Sequence, residues 1–150
     1  QHCQLQLQCP DPLPLYSDPG ALAQVLTNLV INALIHGLDG QTAAQISIEV
    51  TADDDWIQLN FSDNGCGMTT EQLENVFSRF WRADPSRART RGGTGLGLSI
   101  ALEDARLHNG ELEAWGRPGR GAHFVVTLPR KTWESIDQRL IALQPEDYTA

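Results

Sequence analysis

Apolar and polar positions alternate from the first residues of the chain. Leu5, Leu7 and Cys9 interleave with Gln4, Gln6 and Gln8, the period of a half-buried strand, and the proline-rich stretch after Cys9 ends it. A second short strand is expected through Leu15. Asp18 followed by Pro19 reads as a helix start. Leu22, Val25, Leu26, Leu29, Ala33 and Leu34 then recur at three-and-four spacing as far as His36 and Gly37, which predicts the longest helix. Ile46, Ile48 and Val50 alternate, as do Ile57, Leu59 and Phe61, around the acidic turn Asp53, Asp54, Asp55; an antiparallel hairpin is expected. Thr69 or Thr70 can cap a short helix from Glu71 to about Phe80. A long polar loop with Pro85, Gly92 and Gly93 follows, of the length usual for lids or disordered segments. Leu98, Ala101, Leu102 and Ala105 restart the helical spacing, which stops near Asn109 and Gly110. Two closing strands are expected near 111–115 and 122–128. Beyond Pro129, Trp133, Ile136, Leu140 and Leu143 predict a short amphipathic helix in a C-terminal tail over 131–150.

Composition narrows the class. A chain of 150 residues, 41% hydrophobic and 20% charged, is enough for one domain with a single core, here placed at 1–130. The longest apolar run falls far short of the roughly 18 residues that cross a bilayer. Cys3, Cys9 and Cys66 are an odd number without metal-ligand spacing, which argues against a disulfide framework or a zinc site and for a reducing cytosol. A net charge of −8 disfavours nucleic acid as a partner. Against that acidic background five of the eleven basic residues, Arg79, Arg82, Arg87, Arg89 and Arg91, crowd one stretch. Such asymmetry invites an anionic small ligand, although a solvated arginine-rich loop has the same composition.

Three groups of residues carry candidate chemistry. Asn28, Asn32 and His36 stand four apart and form a polar stripe along the first long helix. Neutral amides can offer a carbonyl oxygen to a hard cation or an amide to a base edge, and Asn32 is the better metal ligand by position; surface amides on the wet side of the helix are the alternative. Asp63, Asn64, Gly65, Cys66, Gly67 and Met68 follow directly on a strand, where the two glycines let backbone turn sharply and approach a ligand. An ordinary turn has the same letters. Gly92, Gly93, Thr94, Gly95, Leu96, Gly97 and Leu98 run straight into a helix, so that free N–H groups and the positive helix end face the loop, a geometry that suits phosphate. No lysine follows, as a Walker A loop requires, and the glycines do not fit a dinucleotide fingerprint. Lys131 is the only lysine in the chain, so a phosphate tail would be neutralised by arginine, magnesium and backbone dipoles.

Taken in order, NLVINALIHG at 28–37, DNGCGM at 63–68, FSRFWRAD at 77–84 and GGTGLGL at 92–98 resemble the N, G1, F and G2 boxes of sensor histidine kinases. The likeness extends to about Pro129, and the run from Phe77 to Leu107 is most similar to the MtrB type of these kinases. The resemblance implies an α/β (α+β two-layer sandwich) domain of the Bergerat type, a mixed β-sheet covered on one face by three helices, with ATP beneath a mobile lid. It further implies that Asn32 coordinates Mg2+, that Asp63 bonds the adenine amino group, and that Asn28 and His36 flank the nucleotide. Arg82 would contact the phosphates and, with Asn32, serve catalysis. Gly65, Gly67 and Met68 would shape the adenine side, and Gly93, Thr94, Gly95, Leu96, Gly97 and Leu98 the phosphate-facing hinge of the lid. The sequence departs from the family at Ile35, where lysine is frequent, and at Trp81, where tyrosine is.

Related ATPases of this fold activate water with a glutamate one helical turn before the metal-binding asparagine; that place is Asn28 here, and an amide is no general base. The acceptor is therefore expected from outside. None of His2, His36, His108 or His123 sits in an H-E/D-x-x-x-P setting. The resemblance supplies the rest: a dimerisation and histidine-phosphotransfer domain of the same kinase, a response regulator, a homodimeric full-length protein with a monomeric isolated domain, and a cytoplasmic position beneath a membrane anchor. An anti-sigma-type serine kinase, which lacks the F box, and a non-catalytic nucleotide-binding or docking module are the competing readings.

Overall fold

A computed structural model describes residues 3–10, 12–13, 15, 17–37, 43–80 and 96–130. Five strands, β1 (Cys3–Gln8), β2 (Ala44–Ala52), β3 (Trp56–Asp63), β4 (Glu111–Gly116) and β5 (Ala122–Pro129), form one sheet in the order β1-β2-β3-β5-β4. β1 runs parallel to β2 and the other pairs are antiparallel. The sheet is mixed, as expected. The helices are α1 (Pro19–Asn32), α2 (Thr70–Asn75) and α3 (Gly97–Leu107).

Local chemistry sets these boundaries. Asp18 caps α1 by accepting from the N–H groups of Gly20 and Ala21 at 2.9 and 3.2 Å, with Pro19 preset for the first turn. The β2–β3 hairpin closes where Asp53 Oδ1 accepts from Asp55 and Trp56 N–H, both at 2.8 Å, which fixes the register Ile48↔Phe61 and Val50↔Leu59. Those two N–H bonds hold the Asp53 carboxyl below its usual range. Thr69 and Gln72 form a reciprocal capping box at the start of α2. Between them the strands set Ile57, Leu59, Phe61, Phe124, Val126 and Leu128 on one face, where Val25 and Leu29 of α1 and Ala101 and Ala105 of α3 pack on them. Val25 and Leu29 are 2% and 1% exposed, and burial of this kind stabilises by about 1.5–3 kcal/mol per large aliphatic side chain.

Four expectations need correction. β1 forms but is exposed along its whole length, with Leu5 and Leu7 at 58% and 66%, because it is an edge strand that nothing described covers. Leu15 belongs to no strand; it packs against the core instead. The first helix is α-helical only to Asn32, after which residues Ala33–Gly37 form a π-helical turn. The helix expected to reach Phe80 ends at Asn75, since the chain turns through 76–80 and Phe80 adopts a φ of 60°. The tail at 131–150 and the loop at 81–95 lie outside the described residues.

Candidate functional site

Asp63 is the last residue of β3, flanked in register by Ile46 on β2 and Ala122 on β5. Its Oδ1 accepts from the Gly65 N–H at 2.9 Å. Burial raises its carboxyl above the ordinary value of 3.8, and the N–H groups of Gly65 and Ala122 oppose the rise only in part. A carboxylate held desolvated at a strand end is poised to accept a hydrogen bond from a ligand.

The glycines around it are there because side chains would not fit. Gly67 has a φ of +72°, and a Cβ on it would lie 1.8 Å from the Arg117 carbonyl oxygen. Gly121, at φ +70°, would bring its Cβ within 2.0 Å of the Asp63 carbonyl oxygen. The β4–β5 turn thus lies directly against the loop after β3, and the Gly119 N–H donates to the Cys66 carbonyl at 2.8 Å. Asn64 holds the other side: its Nδ2 donates to the Ala43 carbonyl at 2.8 Å and its Oδ1 accepts from Gln45 N–H at 2.9 Å. Met68 packs across Gly116, where a Cβ would meet its methyl at 2.8 Å, and against the core. Sequence reasoning places Asn64 in the loop after the strand without a role of its own, and does not single out Gly121. The signal was the Gly-x-Gly of Gly119 and Gly121, which sequence reads only as a turn.

The polar stripe of α1 is half sunk into the fold. Asn28 and Asn32 are both partly buried, and the Nδ2 of Asn28 is buried without a hydrogen-bond partner among the described residues. A buried amide left unmade costs about 1–3 kcal/mol, which an acceptor within reach would relieve. Asn28 also meets α3: a methyl on Gly97 would sit 3.5 Å from its Oδ1. The start of α3 has no side-chain cap, while Ser99 Oγ donates to the Leu96 carbonyl at 2.9 Å. Asn28 therefore stands against the first turn of α3, whose N–H groups have no side-chain cap among the described residues. His36 lies in the π-helical turn that continues from Asn32, an irregularity frequent at functional sites.

Among the residues of the F box, Phe77 is fixed edge-on to Phe124 with ring centroids 6.3 Å apart, Arg79 pairs with Glu103 of α3, and Phe80 stays exposed. Arg82, Gly93, Thr94 and Gly95 lie outside the described residues; Leu96, Gly97 and Leu98 form the entry to α3. No group of three His, Cys, Asp or Glu side chains that could hold a metal occurs among the described residues. A magnesium ion that keeps its waters and binds through substrate phosphates asks for only one or two protein oxygens, and the half-buried amide of Asn32 fits that demand.

The family model described as histidine kinase-, DNA gyrase B-, and HSP90-like ATPase matches residues 17–132. The sensor histidine kinase MtrB of Mycobacterium leprae (strain TN) is 43% identical over 128 residues, 85% of this chain and 22% of that protein. The sensor histidine kinase WalK of Bacillus subtilis (strain 168) is 36% identical over 138 residues, 91% of this chain and 22% of the relative. The chain thus spans 22% of the length of these relatives. Among solved structures, full-length ShkA in complex with AMPPNP superposes with a TM-score of 0.71 at 25% identity, covering 89% of this chain and 27% of that one. The mycobacterial sensor histidine kinase MprB has a TM-score of 0.71 at 21% identity, covering 87% and 84%, a likeness of fold.

Proposed function

Because this chain belongs to the histidine kinase-, DNA gyrase B- and HSP90-like ATPase family, we propose that it binds Mg-ATP and donates the γ-phosphate to a histidine on a separate dimerisation domain of a two-component sensor kinase. Its mixed sheet with helices on one face is the Bergerat type of fold. Two observations carry the proposal: the Asp63 carboxylate is desolvated at the end of β3, and the Asn28 amide, without a hydrogen-bond partner among the described residues, stands beside the start of α3, which has no side-chain cap. Those groups offer an acceptor for an exocyclic amine and donors for a phosphate tail, the two ends of an adenine nucleotide.

In this reading Asp63 orients the base, with Gly65, Gly67 and Met68 giving the base its close backbone approach and apolar cover. Asn28 and His36 flank the nucleotide. Leu96, Gly97 and Leu98 turn their backbone toward the phosphates, with Gly93, Thr94 and Gly95 before them and Arg82 as the charged contact. Asn32 would hold Mg2+, which supplies charge neutralisation of the phosphates. Asn28 stands where a general base would activate water, and an amide cannot take that proton. Bound ATP is accordingly kept from rapid hydrolysis until an imidazole nitrogen attacks the γ-phosphorus and ADP departs with the bridging oxygen. Positioning and charge stabilisation carry such a transfer.

We place the whole protein as a homodimeric, membrane-anchored sensor that passes its phosphoryl group to a response regulator, with this domain on the cytoplasmic side and the isolated domain a monomer. No described helix is long and apolar enough to cross a membrane. The test is incubation with ATP labelled at the γ-phosphate, with and without a histidine-bearing dimerisation domain supplied in trans. Label should move to that domain and not to the chain itself. Label on a serine-bearing partner alone would favour the anti-sigma type of kinase, and ATP binding with no transfer a docking module.

A further inference from the structure

Asn64 stands between Asp63 and Gly65. It is exposed, yet both polar groups of its side chain are committed. Nδ2 donates to the Ala43 carbonyl at 2.8 Å, and Oδ1 accepts from the Gln45 N–H at 2.9 Å. Its own N–H donates to the Gln45 carbonyl at 3.3 Å. The paired register of β2 with β3 stops one residue earlier, at Ile46↔Asp63. A primary amide offers an acceptor and a donor side by side, as strand backbone does, so Asn64 prolongs the ladder with side-chain atoms where the register ends.

The anchor for this tie is itself fixed. Ala44, between the two partners, is 4% exposed and packs with Ile46 and Ala33 in one buried cluster. On the other side of Asn64 lies the β4–β5 turn, where a Cβ on Gly121 would come within 3.4 Å of the Asn64 Cα. What is held in this way is a peptide unit. The Gly65 N–H that donates to Asp63 Oδ1 at 2.9 Å belongs to the planar group that begins at the Asn64 carbonyl. Gly65 and Gly67 give the loop little stiffness of their own. Fixing Asn64 therefore fixes the direction of that N–H, and with it the aim of the Asp63 carboxylate.

A carboxylate held in one direction chooses between bases: it accepts from an exocyclic amine and repels a carbonyl oxygen placed at the same point. We propose that Asn64 is a positioning residue that sets this selectivity, its side chain fixing the peptide unit to which Asp63 is bonded. The proposal rests on the reading of Asp63 as the residue that takes the adenine amine, and adds to it a neighbour that acts only through Asp63. Asparagine is the fitting side chain. Aspartate would keep the acceptor but set an anionic oxygen against the Ala43 carbonyl, and alanine would lose both bonds.

Calorimetric titration of the full chain with ADP and with inosine diphosphate, in which a carbonyl oxygen replaces the exocyclic amine, tests it. The parent should prefer ADP. Asn64→Ala should melt within about 5 °C of the parent, since the tie lies at the surface. It should bind ADP about tenfold more weakly while its affinity for inosine diphosphate stays within about twofold, so that the preference narrows. Asn64→Asp, which keeps the bond from the Gln45 N–H, should narrow the preference less, and it carries the test if the alanine variant does not fold. Equal losses for both nucleotides would mean a loop merely loosened and would overturn the proposal. So would a selective parent whose variants are equally selective. A parent that binds ADP no better than inosine diphosphate would overturn the reading of Asp63 itself, and this proposal with it.

Discussion

Replacing Asp63 with asparagine should move stability and nucleotide affinity in opposite directions. Burial holds the Asp63 carboxyl above its ordinary value of 3.8 in the free domain. A carboxyl whose folded-state pKa is raised binds its proton more tightly in the fold than in the unfolded chain. Its favourable contribution is complete below the unfolded value and is lost as pH rises through the folded one. At neutral pH the ionised side chain therefore subtracts from stability. The asparagine amide keeps an oxygen for the Gly65 N–H and carries no charge to desolvate, so Asp63→Asn should hold or raise the melting temperature. For a ligand amine the balance reverses. A hydrogen bond to a charged acceptor contributes about 1.5–3 kcal/mol against about 1 for a neutral one, and the difference weakens nucleotide binding roughly 2- to 30-fold. Scanning calorimetry of the free domain and titration calorimetry with ADP read the two quantities separately. The parent's affinity should also fall as pH drops through the raised pKa, because a protonated carboxyl accepts less well, and the variant's should not. A variant that melts several degrees lower and binds ADP as tightly as the parent would refute the reasoning.

Gly121→Ala must place a side chain at φ +70° and 2.0 Å from the Asp63 carbonyl oxygen. The left-handed backbone costs about 1–2 kcal/mol and strand separation adds to it, so the melting temperature should drop on the order of 10 °C, measured by circular dichroism; an unchanged value would mean that the turn does not abut β3. Asn28→Ala deletes a buried amide that has no hydrogen-bond partner among the described residues, so thermal stability should stay within about 3 °C of the parent while ADP affinity falls about tenfold. The reverse outcome, a destabilised domain with full affinity, would make Asn28 structural.

Most of the sheet was legible because its middle strands obey period two without conflict: Ile57, Leu59 and Phe61 face the helices, and the Asp53 turn fixes their partners. β1 misled because Leu5 and Leu7 alternate like buried residues, and alternation cannot tell an edge strand from a covered one. Helix ends were misjudged where the chain leaves α geometry without proline or glycine, at Ala33 into the π-helical turn and after Asn75. The polar letters of the candidate site were visible, since Asn28, Asp63 and Gly67 are spaced in ways that ordinary core packing does not need. Its scaffold was not: Gly121 meets Asp63 from 58 residues away, and Asn64 binds the start of β2, both contacts of tertiary structure with no local pattern.

If the domain binds ATP with the help of magnesium, as proposed, calorimetric titration of ATP into the purified protein, with and without magnesium, should show saturable heat at one site per chain, weakened by omission of magnesium and by Asn32→Ala. An absence of binding by a folded parent, in either condition, would contradict it.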